Sequence, residues 1–207
     1  MIKNLIFDFD GVLADTFPFA VRAAMEINEE LNLLNAEKVK PEDFRASDLE
    51  EFITKFKIPK LKLLLFIFKY RKRLRKEILS TPTFNDLPQT LLELKTRGIK
   101  LGIVTSNQKK IVEEFLNHNN LQVFDFVSST INVFHKENSL RKALNKFHLK
   151  KEETIYIGDE TRDIKASRAT GLKVASVTWG WNLESKLLEY SPDFIINRPQ
   201  ELLTLIQ

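Results

Sequence analysis

From Thr81 onward, short apolar β-prone runs alternate with amphipathic helical runs, and no other feature narrows the possible folds as much. The spacing predicts strands over 99–104, 124–128, 154–157, 172–177 and 194–196. Helices are predicted over 88–96, 110–117, 138–147, 164–170, 183–190 and 200–205, with Gly98 and Gly171 placed to close two of them. A further buried strand is expected at 3–9. Strands joined through helices require crossover connections, hence an α/β fold with a mainly parallel sheet and helices on both faces.

The stretch 17–80 breaks the alternation, because it contains no convincing strand. Phe19, Ala23, Ile27 and Leu31 recur at helical spacing, predicting a helix over about 17–34. Pro41 opens a turn or a second helix, and Ser47-Asp48-Leu49-Glu50 reads as a capping box before Phe52 and Ile53. After Pro59 one more helix is expected over 61–78, with Leu65, Phe68 and Leu74 facing inward. Its basic run, 69–76, has three readings: a solvated helix face, a contact for an anionic substrate or partner, or a membrane or nucleic-acid contact. The solvated face is preferred.

With 43% hydrophobic and 29% charged residues, the chain has the balance of a globular protein rather than a disordered one. Sixteen phenylalanines against three tyrosines point to a core filled by rings. The absence of cysteine excludes disulfides, cysteine-ligated zinc, iron–sulfur centres and thiol nucleophiles. A net charge of +4 suits anionic substrates and ordinary surfaces equally. No secretory signal and no run long enough to cross a bilayer are read, so a cytoplasmic protein is expected, without stable membrane association and without nucleic acid as partner.

Chemistry-bearing residues fall at three predicted strand ends. Asp8 and Asp10 precede Gly11; Thr105-Ser106-Asn107 follows the 99–104 strand; Asp159 and Asp163 follow the 154–157 strand. Asp8-Phe9-Asp10-Gly11 alone reads as a turn or as a corner of a phosphate or metal site. In an open parallel sheet, however, the carboxyl ends of the strands form the ligand crevice, which predicts that these residues converge. Clustered carboxylates need a cation, and an all-oxygen donor set suits Mg²⁺. The Thr105 hydroxyl could hold a phosphoryl oxygen beside helix N-terminal N–H groups, and Lys136 is placed to complete the charge balance.

In this combination the chain resembles the haloacid dehalogenase-like hydrolase superfamily over essentially its whole length. The motif DxDGxxxD with Thr or Ser next matches Asp8 to Thr16, the strand-end Thr or Ser matches Thr105, the isolated lysine falls on Lys136, and GDxxxD matches Gly158 to Asp163. The 17–80 stretch resembles the small cap of the phosphoglycolate-phosphatase-like branch. The resemblance implies a Rossmann-like three-layer catalytic core formed by residues 1–15 and 81–207, with an all-helical cap at 16–80.

It further implies a Mg²⁺-dependent phosphomonoesterase acting on a small phosphorylated metabolite, as a monomer or weak homodimer. Asp8 would be the nucleophile and Asp10 the general acid and then base. Asp8, the Asp10 carbonyl and Asp159 would hold Mg²⁺, with Asp163 supporting that shell. Thr105, Ser106, Asn107 and Lys136 would bind the phosphoryl group. Asp15 and Thr16 are read as hinge or supporting residues, His135 as incidental, and Trp179 and Trp181 as packing a loop. The family's lysine is often preceded by glycine and followed by proline, where this chain has His135 and Glu137; that departure touches loop geometry. A phosphomutase on the same scaffold and a catalytically weak anion-binding module are the competing readings.

Overall fold

A computed structural model describes residues 1–31, 41–55, 57–130 and 135–206. Its six strands are β1 (Asn4–Phe7), β2 (Lys100–Thr105), β3 (Phe126–Ser129), β4 (Thr154–Gly158), β5 (Lys173–Val177) and β6 (Phe194–Ile196). They form one parallel sheet in the order β3-β2-β1-β4-β5-β6. The chain builds outward from β1 on one side and then crosses to β4 on the other, so the switch point lies at the carboxyl end of β1. Phe7 pairs in register with Ile103 and with Ile157, which brings the ends of β1, β2 and β4 to one level.

The first strand stops at Phe7, two residues earlier than expected. Phe9 N–H is drawn to the Asp8 side chain at 2.8 Å, and Phe9 carbonyl accepts from Leu13 and Ala14 at 2.9 and 3.1 Å. These bonds turn the chain immediately after the strand, with Gly11 taking a left-handed φ of 72°.

The helices of the alternating part are α5 (Leu87–Thr96), α6 (Lys109–His118), α7 (Lys136–Lys146), α8 (Thr161–Thr170) and α9 (Glu184–Glu189), and the terminal helix is a 3₁₀ turn over Pro199–Ile206. Two apolar layers sandwich the sheet. One contains Phe7, Phe9 and Phe115, with the Phe9 and Phe115 rings edge to face at 5.1 Å. The other contains Ile6, Val104, Leu140 and Tyr156. Odd and even residues of β1 thus enter opposite layers, as the two-residue pleat requires.

The inserted stretch is helical, with α1 (Phe17–Leu31), α2 (Pro41–Ala46), α3 (Leu49–Lys55) and α4 (Lys60–Glu77), and no strand among its described residues. The expected end of the first helix at 34 lies outside the described residues. Its entry and exit lie side by side: Asp15 N–H donates to Pro82 carbonyl at 2.9 Å and the Thr83 hydroxyl to Leu13 carbonyl at 2.8 Å.

Two local expectations are corrected. The capping box before α3 sits one residue later, on Asp48 and Glu51, each side chain accepting the other's backbone N–H at 2.8 and 3.0 Å. On α4, Leu74 is fully buried, but Leu65 and Phe68 are 43% and 68% exposed. Two apolar stripes share that helix, and the one through Phe66, Tyr70 and Leu74 turns toward α1 and the core.

Candidate active site

Each strand end delivers one part of the site. Asp8 follows β1 directly, still tied to the sheet through its N–H to Ile157 carbonyl at 2.9 Å, and its side chain is 5% exposed. Lys136, the first residue of α7, reaches it from across the sheet. The Lys136 ammonium donates to both Asp8 and Asp163 and is 11% exposed. Burial alone would push the lysine pKa down, but the two carboxylates outweigh it and hold the group above its ordinary value.

Asp163 is fully used by this arrangement. One oxygen receives Lys136; the other accepts the backbone N–H groups of Asp159 and Glu160 at 3.0 Å each. Because Asp163 lies in the first turn of α8, its side chain folds back over the 159–160 turn and shapes it. It therefore positions the lysine and the loop that carries the other acids.

Asp159 and Glu160 complete a cluster with Asp8, in which one oxygen of each carboxylate lies within 4.8 Å of the others. Burial first, then Glu160, Asp163 and Asp8, push the Asp159 pKa well up. Burial also raises Asp8 and Glu160, against the opposing pull of Lys136 and Arg162 respectively. Like charges this close and this buried are costly without a compensating cation. One Asp159 oxygen accepts Trp181 N–H at 2.7 Å, while the other is buried with no protein hydrogen-bond partner. The oxygen-only donor set and this orphaned carboxylate oxygen fit a hard divalent cation.

The turn around Asp159 tolerates no extra bulk. A Cβ at Gly11 or at Gly180 would overlap the Asp159 carboxylate, so the two glycines let separate backbone segments close over it. Trp179 and Trp181 lie on the same loop. Trp179 packs against the core and donates to Val12 carbonyl at 3.3 Å, and Trp181 meets Phe17 edge to face at 5.3 Å.

Asp10 is close enough to Asp8 to feel its charge. Its carboxylate accepts from the Asn107 amide, and burial, with Asp8 adding to it, pushes its pKa up to about 7. The Asn107 N–H in turn donates to the Thr105 hydroxyl at 3.0 Å. Thr105, Ser106, Lys136 and Arg162, with Val104, Thr130 and Ser139, line a small cavity. His135 lies on the exposed side, 3.4 Å from Glu137.

The structure thus brings Asp8, Asp10, Thr105, Ser106, Asn107, Lys136, Asp159 and Asp163 to one crevice. Glu160 and Arg162, which pair with each other at its edge, were not singled out from the sequence. They occupy variable positions of the GDxxxD motif, and only the turn at the start of α8 reveals that both point inward.

The basic run divides by direction. Lys69 and Arg73 pair with Glu30 and Glu26 of α1, at 2.6 Å for Lys69–Glu30 and 3.3 Å for Arg73–Glu26. Lys72, Arg75 and Lys76 are exposed. Arg71 instead turns toward the site and donates to Ser106 carbonyl at 3.3 Å.

Comparison with known proteins agrees with this geometry. A model of the haloacid dehalogenase-like hydrolase family matches residues 5–177. The chain is 26% identical to a phosphoglycolate phosphatase from Synechococcus elongatus, covering 99% of this chain and 97% of that protein. It is 31% identical to a pyrophosphatase PpaX from Bacillus cereus, covering 99% and 96%. Among solved structures, a haloacid dehalogenase-like family hydrolase from Streptococcus pneumoniae superposes with a TM-score of 0.82 at 25% identity, covering 100% of this chain and 99% of that one.

Proposed function

The chain belongs to the haloacid dehalogenase-like hydrolase family, and from that premise we propose that it is a Mg²⁺-dependent phosphomonoester hydrolase for a small phosphorylated metabolite. The observation that carries the proposal is the double grip of Lys136 on Asp8 and Asp163, with Asp159 and Glu160 flanking Asp8 at the switch point of the sheet. The names of the phosphoglycolate phosphatase and pyrophosphatase relatives also support it.

In this reading Asp8 attacks phosphorus and carries the phosphoryl group as an aspartyl-phosphate. Asp10, oriented by Asn107, gives its proton to the leaving oxygen and then takes one from the water that releases phosphate. Thr105, Ser106, Asn107 and Lys136 hold phosphoryl oxygens, and the Lys136 charge offsets the charge that develops on them. Asp8, Asp159 and the Asp10 carbonyl, with Glu160 beside them, would hold Mg²⁺, which supplies further neutralisation of the phosphoryl charge. Asp163 supports that shell through its bonds to the 159–160 turn.

Residues 16–80 act as the cap, excluding water and selecting the leaving group. The proposed setting is cytoplasmic, with the chain a monomer or weak homodimer. Among the described residues no helix is long and apolar enough to cross a membrane.

The test is a screen of small phosphate esters, with Mg²⁺ and with chelator, on the native chain and on Asp8→Asn. Phosphate release that needs both the metal and Asp8 is expected. Full activity in Asp8→Asn overturns the mechanism. Phosphate migration without release favours a mutase, and release from no ester favours an anion-binding module.

A further inference from the structure

We propose that Arg45 of α2 is a positioning residue for Asp159. It clamps the loop that holds the Asp159 carboxylate, so that full Mg²⁺ affinity depends on a side chain of the inserted helices. The proposal rests on the Mg²⁺ reading above and adds a residue that acts through the backbone of that loop.

Asp159 is held at two points by one short segment. Trp181 N–H donates to its carboxylate at 2.7 Å, and Asn182 N–H donates to its carbonyl at 3.2 Å. The buried Asn182 side chain extends this grip, its oxygen accepting Thr161 N–H at 3.0 Å at the start of α8. Gly180 passes so close that a Cβ there would overlap the Asp159 carboxylate. A small shift of residues 180–182 therefore moves that carboxylate, and Mg²⁺ demands near-ideal octahedral geometry from its ligands.

Residues 180–182 are in turn fixed from the inserted stretch. The Arg45 guanidinium donates to the carbonyls of Gly180 and, at 3.1 Å, of Trp181. It also lies 4.7 Å from the centre of the Phe17 ring, against which Trp181 packs edge to face. The Arg45 carbonyl accepts Leu183 N–H at 3.2 Å and the Asn182 amide at 3.1 Å, and the Ser47 carbonyl accepts the same amide at 3.3 Å. The rigid fork of a guanidinium suits two adjacent carbonyls, a geometry that a lysine ammonium does not reproduce. Groups that orient a metal ligand from outside its shell commonly account for roughly 10–100-fold of metal affinity.

Calorimetric titration with Mg²⁺, well below the melting temperature of each variant, tests the clamp without turnover. Trp179 and Trp181 are the only tryptophans of the chain and share this loop, so Trp179→Phe leaves Trp181 as a fluorescent reporter of it. Arg45→Ala is expected to weaken Mg²⁺ binding about tenfold and to shift Trp181 emission. Arg45→Lys, which keeps the charge but not the fork, should show an intermediate loss. Lys55→Ala, which breaks an exposed ion pair with Asp43 in the same inserted stretch, should change neither readout. Thermal melts identify the variants that fold; where Arg45→Ala does not, Arg45→Lys decides, and native affinity in it overturns the proposal. Native affinity in folded Arg45→Ala, or an equal loss in Lys55→Ala, overturns the proposal and leaves the Mg²⁺ reading standing. Absence of Mg²⁺ binding by the native chain overturns both.

Discussion

Lys136 donates a hydrogen bond to Asp8 across 128 positions of the chain, and the same ammonium is bonded to Asp163. It is the charge that lets two buried carboxylates face one crevice. Lys136→Met should leave them uncompensated, at a cost of about 3–5 kcal/mol when one partner of a buried ion pair is removed. Thermal melting should show a large fall in Tm, and phosphate release should fall with it. A variant as stable as the native chain would show that Asp8 and Asp163 are relieved in some other way.

Divalent metal should stabilise the folded chain. Asp8 and Asp159 are buried with the partly exposed Glu160 beside them, and their mutual repulsion would be relieved by a bound cation. At a concentration 100 times the dissociation constant, binding would add about 2.7 kcal/mol. Mg²⁺ should therefore raise Tm and chelator should reverse the shift. Glu160→Gln should need more metal for the same shift, a readout independent of turnover.

Gly180→Ala should injure the proposed metal site without removing a charged group. The added methyl would overlap the Asp159 carboxylate, which must then move or push back the 179–182 loop. Overpacking of this kind costs roughly 1–3 kcal/mol. The expected result is a lower Tm and a weaker Mg²⁺-dependent shift. An unchanged metal titration would show that Asp159 can relocate freely.

Asp48 links the inserted helices to the core and predicts an acid limb of stability. Burial raises its pKa, but Glu51 N–H at 2.8 Å, Lys165 at 3.0 Å and the Tyr190 hydroxyl at 3.0 Å together bring it below the ordinary 3.8. A depressed folded-state pKa contributes stability that is fully present above the unfolded value and is lost as pH falls through the folded one. Asp48→Asn should lower Tm near pH 7, by about 1–2 kcal/mol of stability. The difference from the native chain should shrink as pH drops below about 4. A gap that stays constant down to pH 3 would show that the Asp48 charge is not what ties the helices down.

Much of the site was legible because strand ends carry local signatures. Asp8-Phe9-Asp10-Gly11 and Gly158-Asp159 each follow an apolar run directly, and parallel connectivity says where such ends meet. Glu160 and Arg162 were not legible. They share a turn whose inward direction depends on Asp163 accepting the 159 and 160 N–H groups, a bond pattern that residue spacing does not reveal.

Helix α4 draws the same boundary most clearly. Leu61, Leu64, Leu65 and Phe68 form one apolar stripe at helical spacing, while Phe66, Tyr70 and Leu74 form another. Periodicity alone establishes the helix but offers two faces, and the expectation of Leu65 and Phe68 as inward residues takes two members of the exposed stripe. By itself the sequence determined the alternation, the parallel sheet and the acids at its edge, because those depend on neighbours in the chain. Only the tertiary structure decided which side of α4 is buried, and with it that Arg71 faces Ser106, because that choice depends on the surfaces α1 and the core present to the helix.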